Sequence, residues 1–227
     1  PIIIDPNTGG PITIFPGPDL AVYSCSQQGA NQLELLVLDD AGNSASCMSV
    51  VTVVDNQAPQ AHCKDVTAYL DANGQVSINA DQVNNGSTDN CGVTDLILPQ
   101  SIFDCNQVGT NLIKLNVSDA SGSLGSCIAQ VTIIDTTPPV VVCRDLTVQL
   151  SPKGTGDISI NQSQAVVSVS DNCSLERNTL TFELNCTNVG VYTGTVSEYD
   201  VNGNIGRCTT HITVEEITPP EMQCRDI

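Results

Sequence analysis

The chain contains no tryptophan, and aromatic residues make up only 3% of its 227. A small module built from such residues has a thin core and needs staples beyond burial. Basic residues are also scarce: 7 Lys and Arg against 25 Asp and Glu leave a net charge of −18. That balance excludes an electrostatic nucleic-acid binder and opposes docking on an anionic membrane by charge alone. No apolar run approaches the ~18 residues that a membrane helix needs, so no membrane insertion is expected. The sequence carries no signal peptide and starts at Pro1 without Met, so it reads as a fragment of something longer. The only histidines, His62 and His211, occupy unrelated positions. There is no Gly-x-Ser-x-Gly, no His-Glu-x-x-His and no phosphate loop, so no common enzyme motif is present. Cys-x-x-Cys is missing too, which removes zinc-ribbon and thioredoxin-type readings.

What the chain does have is cysteine at a fixed period. Cys25, Cys105 and Cys186 are 80 and 81 residues apart, and Cys47, Cys127 and Cys208 repeat that step. Cys63, Cys143 and Cys224 form a third series, and Cys91 and Cys173 a fourth, 82 apart. Such a period marks an array of modules, whose function is one that copies can share, such as reaching, sticking or bearing load. The long cysteine spacings suit disulfides, and disulfides persist outside the cytosol, so the expected location is extracellular, at the cell surface.

Each repeat reads as short strands. Cys63 to Leu70 alternates apolar and polar residues, Asp71-Ala-Asn73-Gly74 is a turn signal, and Gln75 to Ala80 alternates again. Val93 to Leu98, Ser101 to Cys105, Asn111 to Ser118 and Cys127 to Ile134 follow, and no helical apolar stripe appears. Many short strands with regular turns predict an all-β chain of tandem antiparallel β-sandwich modules, Ig-like and disulfide-stapled. The expected boundaries are 1–59 (partial or divergent), 60–139, 140–220 and the start of a further module at 221–227. Linkers at Asp55–Pro59, Asp135–Pro139 and Glu216–Pro220 are stiffened by proline, which predicts a rod.

The text Cys63-Lys-Asp-Val-Thr, Leu70-Asp-Ala-Asn-Gly, Asn85-Gly-Ser-Thr-Asp-Asn-Cys-Gly92, Phe103-Asp-Cys-Asn-Gln-Val-Gly109, Asp119-Ala-Ser-Gly and Val131-Thr-Ile-Ile-Asp135 resembles the HYR-type immunoglobulin-like repeat. It is similar also to the repeats of SprB-like gliding-motility adhesins from Bacteroidetes. The likeness covers nearly all of 60–227 and, as a half repeat, 21–59. The third module departs from it at Ser151-Pro-Lys-Gly and at Ser174. The resemblance implies a structural and adhesive segment of a long cell-surface protein, not an enzyme. Its partners would be neighbouring repeats and an extracellular polysaccharide or protein ligand. Such modules also serve as spacers or carbohydrate-binding arrays in secreted enzymes, which is the alternative reading.

Strand directions place Cys105 at the pole opposite Cys127, about 20 Å away at 3.3 Å per residue, too far for a bridge whose Cα atoms lie ~6 Å apart. The expected bridges are therefore Cys63–Cys127, Cys91–Cys105, Cys143–Cys208 and Cys173–Cys186. Parity favours a different set, Cys25–Cys47, Cys63–Cys91 and onward, which leaves only Cys224 unpaired.

The acids keep the same period. Asp39, Asp119 and Asp200 share a turn; Asp65, Asp145 and Asp226 follow the first cysteine of each module; Asp55, Asp135 and Glu216 open the linkers; Asp89 and Asp171 precede Asn-Cys. The first three series fall beside a junction, where crowded carboxylates repel unless a cation joins them. Oxygen donors without His or thiolate point to structural calcium, with Asn202 and Asn204 of Asp200-Val-Asn-Gly-Asn as further ligands. The bland reading is that Asp, Asn and Gly make turns, and it is preferred for Asp71 and Asn73. A glycosidase could use paired carboxylates, but their repetition makes them structural. Asn85, Asn116, Asn161 and Asn185 head glycosylation sequons of the kind that an Asn- and Ser-rich chain produces by chance.

Overall fold

The computed structural model describes residues 23–38, 41–150, 158–176, 181–184 and 186–217. The chain is mostly β. The first repeat contributes a hairpin of β1 (Gly29–Leu38) and β2 (Ser44–Val53). The second contains β3 (Val66–Tyr69), β4 (Gln75–Ser77), the single helical turn α1 (Ala80–Val83), β5 (Val93–Ile97), β6 (Ile102–Asp104), β7 (Gly109–Asp119) and β8 (Leu124–Ile134). The third follows the same plan: β9 (Val140–Cys143), β10 (Leu146–Gln149), β11 (Ile158–Asn161), α2 (Gln162–Ala165), β12 (Val166–Ser170), β13 (Leu175–Glu176), β14 (Thr181–Leu184), β15 (Gly190–Asp200) and β16 (Ile205–Glu215).

The main sheets have the order β3-β8-β7-β5 and β10-β16-β15-β13, with β4-β6 and β11-β14 as smaller sheets and β12-β9 a further pair. Not every pairing is antiparallel, as the sequence reading expected. β3 runs parallel to β8, and β10 to β16. The strand that opens a repeat lies beside the one that closes it, and both point the same way.

Contacts divide the chain into two compact units: Pro1–Lys64 with Ala80–Pro99 and Ile113–Ala129, and Asp65–Asn79 with Gln100–Leu112 and Gln130–Ile227. The units do not follow the repeat boundaries, since each draws on two repeats. Alternation along β7 and β8 builds both cores. Ile113, Leu115, Val117 and Ala129 are buried in the first unit with Val83; Val131 and Ile133 are buried in the second with Leu70, Ile78 and Phe103. Ile160, Ala165, Val196 and Val214 continue the second core. Phe103 is fully buried, and it is one of only three phenylalanines in the chain.

The two helical turns escape a periodicity reading because four residues carry no stripe. Local capping makes α2: the Asn161 side chain accepts from Ser163 N, and Gln164 Oε1 accepts from Asn161 N at 2.9 Å. A related device precedes β7, where Cys105–Gln107 forms a 3₁₀ turn. Asp104 Oδ1 accepts from Asn106 N at 2.8 Å, Gln107 Oε1 accepts from Asp104 N at 2.8 Å, and Asn111 Nδ2 donates to Gln107 O at 2.8 Å. Asn31 repeats the last bond to Gln27 O at 2.7 Å, after the 3₁₀ turn at Cys25–Gln27.

The linkers are seated on glycines. A Cβ on Gly125 would run into the Pro59 carbonyl, and one on Gly206 into that of Pro139. These two residues are 81 apart, so the seat recurs with the repeat.

Candidate metal centres

The disulfides set the frame for both centres. Cys63 bonds Cys127 and Cys143 bonds Cys208, each within one repeat as expected from the sequence. The other two bonds correct that expectation. Cys91 pairs with Cys25, not Cys105, and Cys173 pairs with Cys105, not Cys186. Cys91 lies two residues before Val93, which pairs with Asp119 at the end of β7, whereas Cys105 leads into Gly109 at its start. Ten residue steps, from Gly109 to Asp119, separate the two ends, about 33 Å at 3.3 Å each. Cys105 is thus too far from Cys91, as it is from Cys127, for a bond whose Cα atoms lie ~6 Å apart. The second class of bond therefore joins one repeat to the next. Among the described residues Cys47 is free and exposed; the side chain of Cys186, and Cys224, lie outside them.

Each centre brings three carboxylates together. Asp55, Asp89 and Asp119 form one cluster in the first unit, and Asp135, Asp171 and Asp200 form the other in the second, with donor atoms within 4.8 Å of one another. A linker, a loop and a hairpin supply one acid each. Asp55 and Asp135 follow β2 and β8; Asp119 and Asp200 end β7 and β15; Asp89 and Asp171 stand two residues before the inter-repeat cysteines. Of the expected ligands, the structure gathers Asp55, Asp119, Asp135 and Asp200.

Asp65 and Asp145 are not in the clusters. Asp65 Oδ1 accepts from Gln130 N at 2.8 Å, and Asp145 Oδ1 accepts from His211 N at 2.8 Å with His211 Nδ1 at 3.2 Å. They clip the chain after the first cysteine to β8 and β16. The His211 amide, against an opposing effect of burial, and then the His211 side chain, hold the Asp145 carboxyl below its ordinary value. Glu216 is exposed at the corresponding linker position, and Asp39 lies outside the described residues. Asp89 and Asp171 complete the clusters; their signal was the repeated Asp-Asn-Cys text.

In the first cluster each acid uses one oxygen to fix itself. Asp55 Oδ1 accepts from Gln57 N at 3.1 Å and Asn90 Nδ2 at 3.3 Å. Asp89 Oδ2 accepts from Cys91 N at 2.8 Å and Gly92 N at 3.1 Å. Asp119 Oδ1 accepts from Ser121 Oγ at 2.8 Å and Ser123 N at 2.9 Å. The other oxygen of each, Asp55 Oδ2, Asp89 Oδ1 and Asp119 Oδ2, is buried without a hydrogen-bond partner. Asp119 as a whole is 4% exposed. Turn formation accounts for the first oxygen of each acid and leaves the second unexplained. Buried oxygens without donors are costly, and three of them on carboxylates whose donor atoms lie within 4.8 Å of one another suit a hard cation.

The second cluster is more heavily bonded. Asp135 Oδ1 accepts from Thr137 N at 3.0 Å and Asn172 Nδ2 at 3.2 Å, and its Oδ2 from Asn202 Nδ2 at 2.9 Å. Asp200 Oδ1 accepts from Asn202 N at 2.9 Å and Asn204 N at 2.7 Å, and its Oδ2 from Asn204 Nδ2 at 2.6 Å. Asn202 and Asn204 therefore stand at the cluster and present amide donors to it; as cation ligands they would turn their carbonyl oxygens inward. Asp171 Oδ1 accepts from Cys173 N at 3.1 Å, while Asp171 Oδ2 and Asn172 Oδ1 are buried without partners.

The two clusters differ electrostatically. Burial and then the Asp200 and Asp135 carboxylates push Asp171 above its ordinary value, against the Cys173 and Asn172 amides. Burial also pushes Asp119 up, but bonds from the Ser121 hydroxyl and from the Ser123, Ser121 and Gly122 amides outweigh it, and the net shift is downward.

The Asp71 turn also bears on the second centre. Asn172 Nδ2 donates to Asp71 O at 3.1 Å. Gly74, at φ 72°, lies so close that a Cβ would stand 2.5 Å from Asn172 O and 2.7 Å from Cys105 Sγ. The turn is thus a seat for the Asp-Asn-Cys loop of the next repeat.

No protein-family model and no curated protein matches the chain. Among solved structures it is similar to protocadherin gamma B7 extracellular cadherin domains 1–4, at 13% identity and TM-score 0.36, covering 85% of this chain and 59% of that one. It is similar also to the human desmocollin-1 ectodomain, at 13% identity and TM-score 0.30, covering 88% and 50%. An endo-fucoidan hydrolase of glycoside hydrolase family 107 follows at 13% and TM-score 0.28, covering 91% and 37%. The chain thus spans little more than half of the protocadherin it matches. Among the described residues no helix is long and apolar enough to cross a membrane.

Proposed function

We propose that the chain is a structural and adhesive repeat segment of a long secreted cell-surface protein, an adhesin or motility filament, stiffened by disulfides and by calcium in its carboxylate clusters. The overlap of the four disulfide loops carries this reading. The loops Cys25–Cys91, Cys63–Cys127, Cys105–Cys173 and Cys143–Cys208 each open before the previous one closes. Tension applied at Cys25 and Cys208 passes through 14 residues from Cys91 to Cys105 and 30 from Cys173 back to Cys143, rather than the 183 between them in sequence. A catalyst gains nothing from such wiring, whereas a tether under load does. The wiring follows the sequence period, so it extends with every added repeat.

Calcium fits the clusters because all donors are oxygen and three carboxylates converge in each. The repeat text that resembles gliding adhesins supports the adhesin assignment. Antibodies raised against the chain test the proposal on living cells. They should label intact cells without permeabilisation and reduce attachment or gliding. Labelling only after permeabilisation would overturn it.

A further inference from the structure

We propose that Asp89 and Asp171 are the third carboxylate ligands of the two cation sites, and that the adjacent inter-repeat disulfide controls each site. Reduction of Cys105–Cys173 frees Asp171 and weakens calcium binding, and bound calcium protects the bond from reduction. This rests on the calcium reading of the clusters.

The three acids of a cluster are held by different means. Asp119 and Asp200 end long strands and are fixed by their hairpin turns. Asp55 and Asp135 are fixed by the linkers, through Gln57 N and Thr137 N. Asp89 and Asp171 belong to no strand: Asp171 falls between β12, ending at Ser170, and β13, starting at Leu175. Its Oδ1 is held by the amide of Cys173, the bonded cysteine itself, at 3.1 Å. Across the bond, Cys105 Sγ lies 3.5 Å from Asn172 O and 3.7 Å from Gly74 O, so the disulfide presses the loop onto its seat. The first centre repeats this, with Asp89 Oδ2 on Cys91 N at 2.8 Å and Cys25 Sγ 3.5 Å from Asn90 O.

The unpaired buried oxygens separate a cation site from an acidic turn. Asp119, 4% exposed, directs Oδ2 at no donor, and Asp89 Oδ1 and Asp171 Oδ2 are likewise buried without one. A ligand held by a covalent bond costs little ordering entropy on binding, and cutting the bond restores that cost. The reduction is a dithiol exchange: the dithiol supplies two electrons and two protons, leaves as its own disulfide, and Cys105 and Cys173 become thiols. Coupling is reciprocal. If reduction weakens calcium tenfold, saturating calcium makes the bond tenfold harder to reduce, about 30 mV for a two-electron couple.

Calorimetric titration of calcium into the oxidised chain and into C105S/C173S tests the proposal, because the Asp55–Asp89–Asp119 centre, with Cys25–Cys91 intact, is an internal control. The wild type should take up calcium at both centres, and the double variant should lose tenfold or more at one and keep the other. The variant Asp171→Asn, with all four disulfides in place, should lose the same site. Saturating calcium should lower the reduction potential of Cys105–Cys173 by about 30 mV or more, read from non-reduced peptides at equilibrium with a dithiothreitol redox buffer. Unchanged affinity at both centres in C105S/C173S, or a reduction potential of Cys105–Cys173 insensitive to calcium, overturns the linkage while leaving calcium binding standing. No uptake by the wild type overturns the calcium reading and this inference with it.

Discussion

Replacing Cys105 and Cys173 by serine removes a bond that closes 68 residues and joins two repeats. In the chain-entropy account a loop of that length restricts the unfolded state by about 4 kcal/mol at 25 °C. No other described bond bridges the second and third repeats, so the full constraint between them is lost. A domain of 150–250 residues loses roughly 2–4 °C per kcal/mol, so the melting temperature should fall by roughly 8–16 °C. Differential scanning calorimetry in chelator isolates this effect from any cation. The bonds Cys63–Cys127 and Cys143–Cys208, each within one repeat, remain, so the variant should still fold and show a cooperative transition. A fall of less than about 2 °C, or non-reduced peptides joining Cys105 to Cys91 in the wild type, would refute the reasoning.

Calcium at a hundredfold excess over Kd should stabilise the oxidised chain by about 2.7 kcal/mol per site, seen as a melting temperature that rises in calcium and falls in chelator; no response would mean that the clusters are turn-formers. Asp171→Asn relieves repulsion by Asp135 and Asp200, so in chelator it should melt higher than the wild type while losing one site's gain in calcium; a lower melting temperature in both conditions would contradict the crowding. Gly206→Ala forces the Pro139 carbonyl off its seat and should cost about 1–3 kcal/mol in chemical denaturation, whereas Gly194→Ala, whose Cβ would meet Thr210 Cγ2 at 3.4 Å, should cost much less; equal costs would remove the linker seat from the account. The Gln75 and Asn73 amides hold the Asp71 carboxyl below its ordinary 3.8. The stability this supplies is complete above 3.8 and is lost as pH falls through the lowered value, so Asp71→Ala should flatten the acid limb of stability against pH; an unchanged limb would show that the turn does not anchor there.

The strands and the bonds Cys63–Cys127 and Cys143–Cys208 were legible because local alternation and the strand directions it implies carry them. Long-range seating was not. Cys25 belongs to a repeat with no earlier cysteine in the chain, and its 66-residue separation from Cys91 resembles the 64 of Cys63–Cys127. Those spacings carry the forward pairing, as do the opposite ends of β7 beside which Cys91 and Cys105 lie, whereas local alternation carries neither. Asp65 read as a ligand because it recurs beside a junction; recurrence reports the period equally well for a strand clip, and only the Gln130 amide distinguishes the two. Gly74 read as a turn residue, and its second role, admitting Asn172 and Cys105 at close range, depends on a partner about 100 residues away. Parallel pairing of β3 with β8 leaves no mark on alternation, which is the same for either direction.

The central claim, that the repeats form a covalently short-cut tether, is tested most directly by pulling single molecules through handles flanking Cys25 and Cys208. An extended chain reaches at most ~3.3–3.6 Å per residue, so the oxidised chain, limited to 44 residues of free path, should stop near 150 Å however hard it is pulled. After reduction the same molecule should reach about 620 Å, the span of all 183 residues. An oxidised chain that unravels to that full length would contradict the account.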